Sequence, residues 1–218
     1  MPKVKIQKKS TDTDMTPFVD IAFLILSFFI MATKFKPPEV VEIKTPGSVL
    51  TQKLPEGNAV LISVDSANRV YFSVLSDRDA SKFDAIINGI NTSQNLNLTP
   101  AELANFRKTY MVGVPFGGLK QLLGTDATEQ AKISQPGIPV MDSATNQLVW
   151  WISEAKKAFA GEKLDYLIKG DGNSKYPAFE AIVGSLKRND EYKYKLVTAL
   201  DDIPAGSDLD VKLKGGGK

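Results

Sequence analysis

Residues 16–33 read TPFVDIAFLILSFFIMAT, eighteen residues with one ionisable side chain, Asp20. As an α-helix this run is roughly 27 Å long at 1.5 Å per residue, close to the ~30 Å hydrocarbon thickness of a bilayer. The expectation is one transmembrane helix. Lys3, Lys5, Lys8 and Lys9 precede the run, whereas Lys34 and Lys36 follow it and are soon joined by Glu39 and Glu42. The excess of lysine before the span favours a cytoplasmic N-terminus. Two other readings compete. A cleaved signal peptide has a shorter apolar stretch ending in small residues, and this run ends Ile30-Met31-Ala32-Thr33-Lys34. A core helix of a globular domain normally keeps a polar face, and this run has almost none.

A carboxyl group about one turn inside a bilayer is costly and calls for a functional reason. Low dielectric favours the neutral form of an acid, so gaining and losing a proton is the least costly way for it to remain there. Thr16 lies four residues before Asp20 and Ser27 seven after, and this helical spacing puts all three on one face. Such a stripe is expected to face partner helices or a wetted cavity, with Phe18, Ile21, Leu24, Ile25, Phe28 and Phe29 turned to lipid or apolar packing. One span with one polar stripe implies an assembly.

Composition narrows the chemistry. The 27 basic and 25 acidic residues leave a net charge of +2, which gives no field for a nucleic-acid partner. The chain has neither Cys nor His, which removes thiolate catalysis, sulfur-ligated metals and the commonest general base. No catalytic residue, metal ligand or cofactor is expected.

The block Asp14-Met15-Thr16-Pro17-Phe18-Val19-Asp20, running into Ile21-Ala22-Phe23-Leu24-Ile25-Leu26, resembles the signature of the ExbD/TolR family of biopolymer-transport energisers. Further on, Tyr166-Leu167-Ile168-Lys169-Gly170-Asp171, then Tyr176, a helix and Lys195-Leu196-Val197-Thr198 resemble the strand, helix and strand that close the family's periplasmic domain. The resemblance implies a bitopic inner-membrane subunit that dimerises inside a ring of ExbB-like multi-span proteins. It makes Asp20 the proton carrier and a TonB-like protein the recipient of the work. A TolR-like subunit of a Tol-Pal system is the alternative branch, and a passive membrane-anchored binding module the alternative class.

The expected organisation is a cytoplasmic segment (1–15), the span (16–33), an extended proline-containing linker (34–57), a small periplasmic α+β domain (58–214) and a short glycine tail (215–218). In the linker, Val40 to Thr45 reads VVEIKT, a strand-capable stretch able to pair with a sheet edge or with a second copy. Val40, Glu42 and Lys44 are its candidate partner-binding residues. A hairpin is expected from 59–65 and 69–74 joined by Ser66-Ala67-Asn68, with strands over 164–169 and 194–199 around a helix over 177–188. Helices on one face of the sheet complete the domain.

Residues 76–143 read as a mostly helical insertion. A helix is expected over 84–91, and Thr99-Pro100-Ala101-Glu102 is a capping box that should start another reaching Tyr110. Gly113, Gly117, Gly118 and Lys120 lack the Gly-Lys-Ser/Thr run of a phosphate loop and read as an ordinary loop and short helix. In QLVWWISEAKKAF, helical spacing sends one of Trp150 and Trp151 into the core and leaves the other as a candidate contact.

Overall fold

The structure, a computed structural model, describes residues 15–32, 41–48, 57–76, 79–130 and 132–200. The chain divides into two compact units, 1–37 and 38–218. In the first, α1 (Thr16–Ala32) begins as Phe18 and Val19 donate their amides to the Met15 carbonyl at 3.1 and 3.0 Å. Pro17 sits in the first turn, where a missing N–H costs nothing. The seventeen residues span roughly 26 Å. Every side chain is exposed except the half-buried Ser27. Among the described residues no helix is both long and apolar enough to cross a membrane.

The second unit is a small α+β domain built on a mixed sheet. β2 (Ala59–Val64) pairs antiparallel with β3 (Val70–Leu75) on one side and parallel with β4 (Asp165–Gly170) on the other. β5 (Lys195–Val197) adds parallel to β4, giving the order β3-β2-β4-β5. The expected hairpin is present. Its turn is held by the Asp65 carboxylate, which accepts the Ala67 and Arg69 amides at 2.9 and 2.8 Å while Asn68 takes the left-handed φ of 62°. An Asx-type turn of this kind stands in for a backbone turn. The strand expected over 194–199 breaks at Thr198, because β6 (Ala199–Leu200) leaves β4 and pairs parallel with β1 (Gly47–Ser48).

Alternation along the strands sends Val60, Ile62, Val64, Phe72 and Ile168 into one large core with the helices. Ala59, Leu61 and Leu167 form a smaller cluster on the other face. α6 (Leu148–Ala158) supplies the centre of the large core through Trp151, fully buried with its ring 5.1 Å from Phe72, 5.9 Å from Phe106 and 6.1 Å from Phe116. Trp150 stays 45% exposed, so the pair divides between core and surface as its spacing requires. α7 (Tyr176–Arg188) buries Ala178, Ile182 and Leu186 and rests Phe179 and Val183 on the same core.

The insertion is woven into this core. α2 (Ala80–Gln94) is longer at both ends than expected, capped by Asp79, whose side chain accepts the Ser81 amide, and ended by Asn95 at φ 50°. α3 (Pro100–Phe106) starts at the capping box, Thr99 and Glu102 bonding reciprocally at 3.3 and 2.7 Å. It ends four residues before Tyr110. Continuing it would compete with the burial of Phe106 against Trp151 and with the extended course of Val112, which bridges Phe72 through two hydrogen bonds of 2.7 and 2.8 Å. α4 (Phe116–Leu123) holds Gly117 and Gly118 in its first turn, and the Lys120 ammonium donates to the Asn97 carbonyl, so the glycine-rich stretch is the ordinary loop and helix. The short α5 (Ala127–Gln130) follows. The rest is less helical than expected, since 134–140 run without regular structure along β3, the Ile138 amide donating to the Val70 carbonyl at 2.8 Å.

Gly137 has φ +94°, and a Cβ there would lie 2.9 to 3.0 Å from Arg69 and from the Val70 nitrogen. Two of those three neighbours are backbone atoms, which cannot swing aside. Gly137→Ala is therefore expected to cost about 2 kcal/mol from the strained conformation and the overlap, which lowers Tm by about 4–8 °C for a domain of this size. Calorimetry of the variant against the parent checks it.

Candidate functional site

In α1, Asp20 lies one turn beyond Thr16 and about two turns before Ser27, so helical geometry places the three residues on a common face. The Ser27 hydroxyl donates to the Leu24 carbonyl at 2.9 Å, which satisfies it within the helix. Among the described residues no side chain pairs with the Asp20 carboxylate. Phe18, Ile21, Leu24, Ile25, Phe28 and Phe29 all lie exposed around it. Exposed apolar surface of this extent marks an interaction site.

In the second unit, polar and apolar groups converge at the carboxyl ends of the parallel strands, the usual ligand-facing end of such sheets. Asp171, the first residue after β4, donates its amide to the Val64 carbonyl and accepts the Lys44 and Asn173 amides at 3.0 and 2.9 Å. The Asn173 and Lys44 amides hold its carboxyl below the usual carboxylate range. Gly172 returns a 2.9 Å bond to the Lys44 carbonyl, and the Ala199 amide donates to the Pro46 carbonyl.

These bonds correct the expectation for VVEIKT. Residues 41–46 form no strand; they are an extended strap whose backbone is taken by Asp171 and Gly172, and the pairing starts only at β1. The β-branched composition of the stretch is real, but its partner is a carboxylate and a turn amide, and Pro46 cannot donate to a ladder. Ile43 is buried beneath the strap, whereas the side chains of Glu42 and Lys44 are exposed. Val40 lies outside the described residues.

Beside the strap is a cavity of about 320 Å³ lined by Pro46, Val64, Ile168, Tyr176, Phe179 and Leu196. The Tyr194 ring lies 6.2 Å from that of Phe179, which in turn is 6.3 Å from Tyr176. Leu196, on β5, is 59% exposed. The two edges of the sheet differ. β3 is closed by Val112 and Ile138 of the insertion, while among the described residues nothing pairs with the outer edge of β5. On the neighbouring strand end, Asp65 also receives the Arg69 Nε at 2.6 Å and the Tyr71 hydroxyl at 3.2 Å. Burial, with Asp65 close by, pushes the Tyr71 phenol up to about 12, so it remains a donor to that carboxylate.

Sequence reasoning singled out Asp20, Thr16 and Ser27 but not this cleft. The signal for Asp65 and Asp171 was an acid directly after an apolar strand run, in ISVDSAN and LIKGDGN, followed by turn residues. Among the described residues no group of acids, His or Cys is arranged to hold a metal ion.

A family model described as Biopolymer transport protein ExbD/TolR matches residues 7–201. The chain belongs to the ExbD/TolR family. The match contains both α1 with Asp20 and the cleft of the second unit. No match was found among the curated proteins or the solved structures. Family membership supports the part of an energiser of biopolymer transport at the inner membrane.

In this ExbD/TolR domain the strap depends on the charge of Asp171. Its carboxyl is depressed on folding, so the contribution is present above the unfolded value near 3.8 and is lost as pH falls through the lower folded value. Asp171→Ala is expected to reduce the hydrogen-exchange protection factors of Lys44 and Gly172 about tenfold, the order set by losing a charge-assisted bond. The same loss should develop in the parent as pH falls below 3.8 and through the lower folded value. Exchange measured by NMR across that range checks both.

Proposed function

We propose that this chain is the proton-carrying subunit of an ExbB-ExbD type motor, with 16–33 crossing the inner membrane, the N-terminus in the cytoplasm and the domain after the linker in the periplasm. The observation that carries the reading is Asp20, the lone ionisable residue of α1, inside an exposed apolar collar. Proton transfer to and from that carboxyl group needs a wetted path, which an ExbB-like ring and a second copy of the chain would supply around the Thr16–Asp20–Ser27 face. One charge crossing 100 mV releases ~2.3 kcal/mol, so several protons per cycle are needed for mechanical work.

The periplasmic domain is the output. A TonB-like partner adds an extended segment along the open edge of β5, with an apolar side chain in the cavity between α7 and that strand, the mode that exposed sheet edges favour. Glu42 and Lys44, side chains outward on the strap, flank this surface. No cofactor enters the scheme. A TolR-like partner set would use the same span and cleft with different clients.

Asp20→Asn keeps size and polarity and removes the exchangeable proton. Uptake through the energised outer-membrane transporter is expected to fall to the level of a deletion strain, while co-purification with the ring subunit stays within twofold of the parent; Asp20→Glu should retain part of the uptake. Undiminished uptake by the Asn variant would leave a passive anchored module as the function.

A further inference from the structure

The mouth of the cleft is fixed from behind by the hairpin of β2 and β3. The loop from β4 to α7 supplies Asp171, Ser174, Lys175 and Tyr176 to the cavity wall. Asp171 anchors the first half of this loop to the strap, and Ser174 closes back on it, its amide and hydroxyl both donating to the Asp171 carbonyl, at 3.0 and 2.7 Å. The second half has a different anchor. Lys175 is the N-cap of α7, and its own side chain makes no capping bond. Its carbonyl accepts the Ala178 amide at 3.1 Å, while its amide donates to Asn68 Oδ1 at 2.6 Å, from a residue 107 positions away in the chain. The peptide groups on both sides of Lys175 are thus held, one by the helix and the other by the hairpin turn.

We propose that Asn68 is a positioning residue for this cleft: its carboxamide oxygen holds Lys175 and Tyr176 so that the cavity stays open for an incoming apolar side chain. This rests on the reading of the cleft as the place where a partner segment adds, and not on proton carriage. Asn68 can act in this way because it is itself held. Its φ of 62° is left-handed, a conformation that asparagine tolerates better than most residues. Its amide donates to the Asp65 carbonyl at 3.0 Å, and the amides on either side of it go to the Asp65 carboxylate. The insertion backs the turn from the other side. Gly137 lies against Arg69, the Arg69 guanidinium donates to the Gln135 carbonyl at 3.4 Å, and Ile138 is bonded to Val70. A contiguous run of fixed contacts therefore leads from 135–138 through Arg69 and Asn68 to Lys175. Tyr176, next in the chain, is 71% exposed, so packing restrains it little and the bond to its neighbour matters more. A wall ordered in advance spares an incoming segment the cost of ordering it.

The test uses the full chain in lipid nanodiscs. Asn68→Gly permits the left-handed turn and removes the oxygen, whereas Asn68→Asp keeps an acceptor on a residue that also tolerates this φ. Exchange of the Lys175 amide is expected to be at least tenfold faster in Asn68→Gly and within twofold of the parent in Asn68→Asp, with the Ala67 and Arg69 amides as protected as in the parent. The second readout is binding of N-acetylphenylalaninamide, which brings a phenyl group for the cavity and amides for the strand edge, followed through the methyl shifts of Val64, Ile168 and Leu196. Its Kd should rise at least fivefold in Asn68→Gly and return to within twofold in Asn68→Asp. Unchanged exchange or an unchanged Kd in Asn68→Gly, or an Asp variant no better than the Gly variant, overturns the proposal and leaves the cleft standing as a binding surface. Loss of protection at Ala67 and Arg69 as well would make Asn68 a turn residue only, which also overturns it. No methyl shift in the parent removes the reading of the cleft itself, and this proposal with it. Neither readout involves transport, so the outcome is independent of the Asp20 test.

Discussion

The double pairing of β2 is the constraint from which the domain follows. All six of its residues are buried, it is bonded along both edges, and its alternate side chains enter two different clusters. A strand so placed leaves little freedom, because a one-residue slip would send Val60, Ile62 and Val64 to the wrong face. β3 and β4 take their registers from it. The carboxyl ends of β2 and β4 then lie level, which puts Asp65 and Asp171 side by side at the head of adjacent strands and sets the mouth of the cleft.

The insertion works with that constraint rather than beside it. Phe106 and Phe116 come from it and Trp151 from outside it, yet the three rings pack as one group over Phe72. By closing β3 with Val112 and Ile138 it also gives the sheet a single sense: one edge is used up by the chain's own backbone, and the other carries exposed apolar side chains. Unpaired edges invite indiscriminate pairing, so restricting them to one favours a defined partner.

Much of this was legible in the residues. The apolar run with its lone acid, the hairpin around Ser66-Ala67-Asn68, the capping box at Thr99 and the face of α7 each rest on a local rule, and local rules survive folding when nothing distant opposes them. Where distant groups intervene, the reading fails. VVEIKT has the composition of a strand but is claimed by Asp171, 127 residues on from Lys44. The strand over 194–199 changes partner at Thr198 because β1 takes over where β4 ends. α3 stops short because Phe106 and Val112 are drawn to the core and sheet edge. The cleft was illegible for the same reason: its lining comes from residues 46, 64, 168, 179 and 196, which no spacing rule connects.

The strap has a mechanical consequence. Coming from residue 41, the first described attachments to the sheet are the Lys44 bonds to Asp171 and Gly172 and the two-residue parallel pair of β1 with β6. Tension arriving along the backbone from that direction would load this small set of bonds before it reached β2, whose two full ladders are far stronger. The domain can thus yield at its doorstep, paying out several residues of slack, while its core stays folded under the same pull.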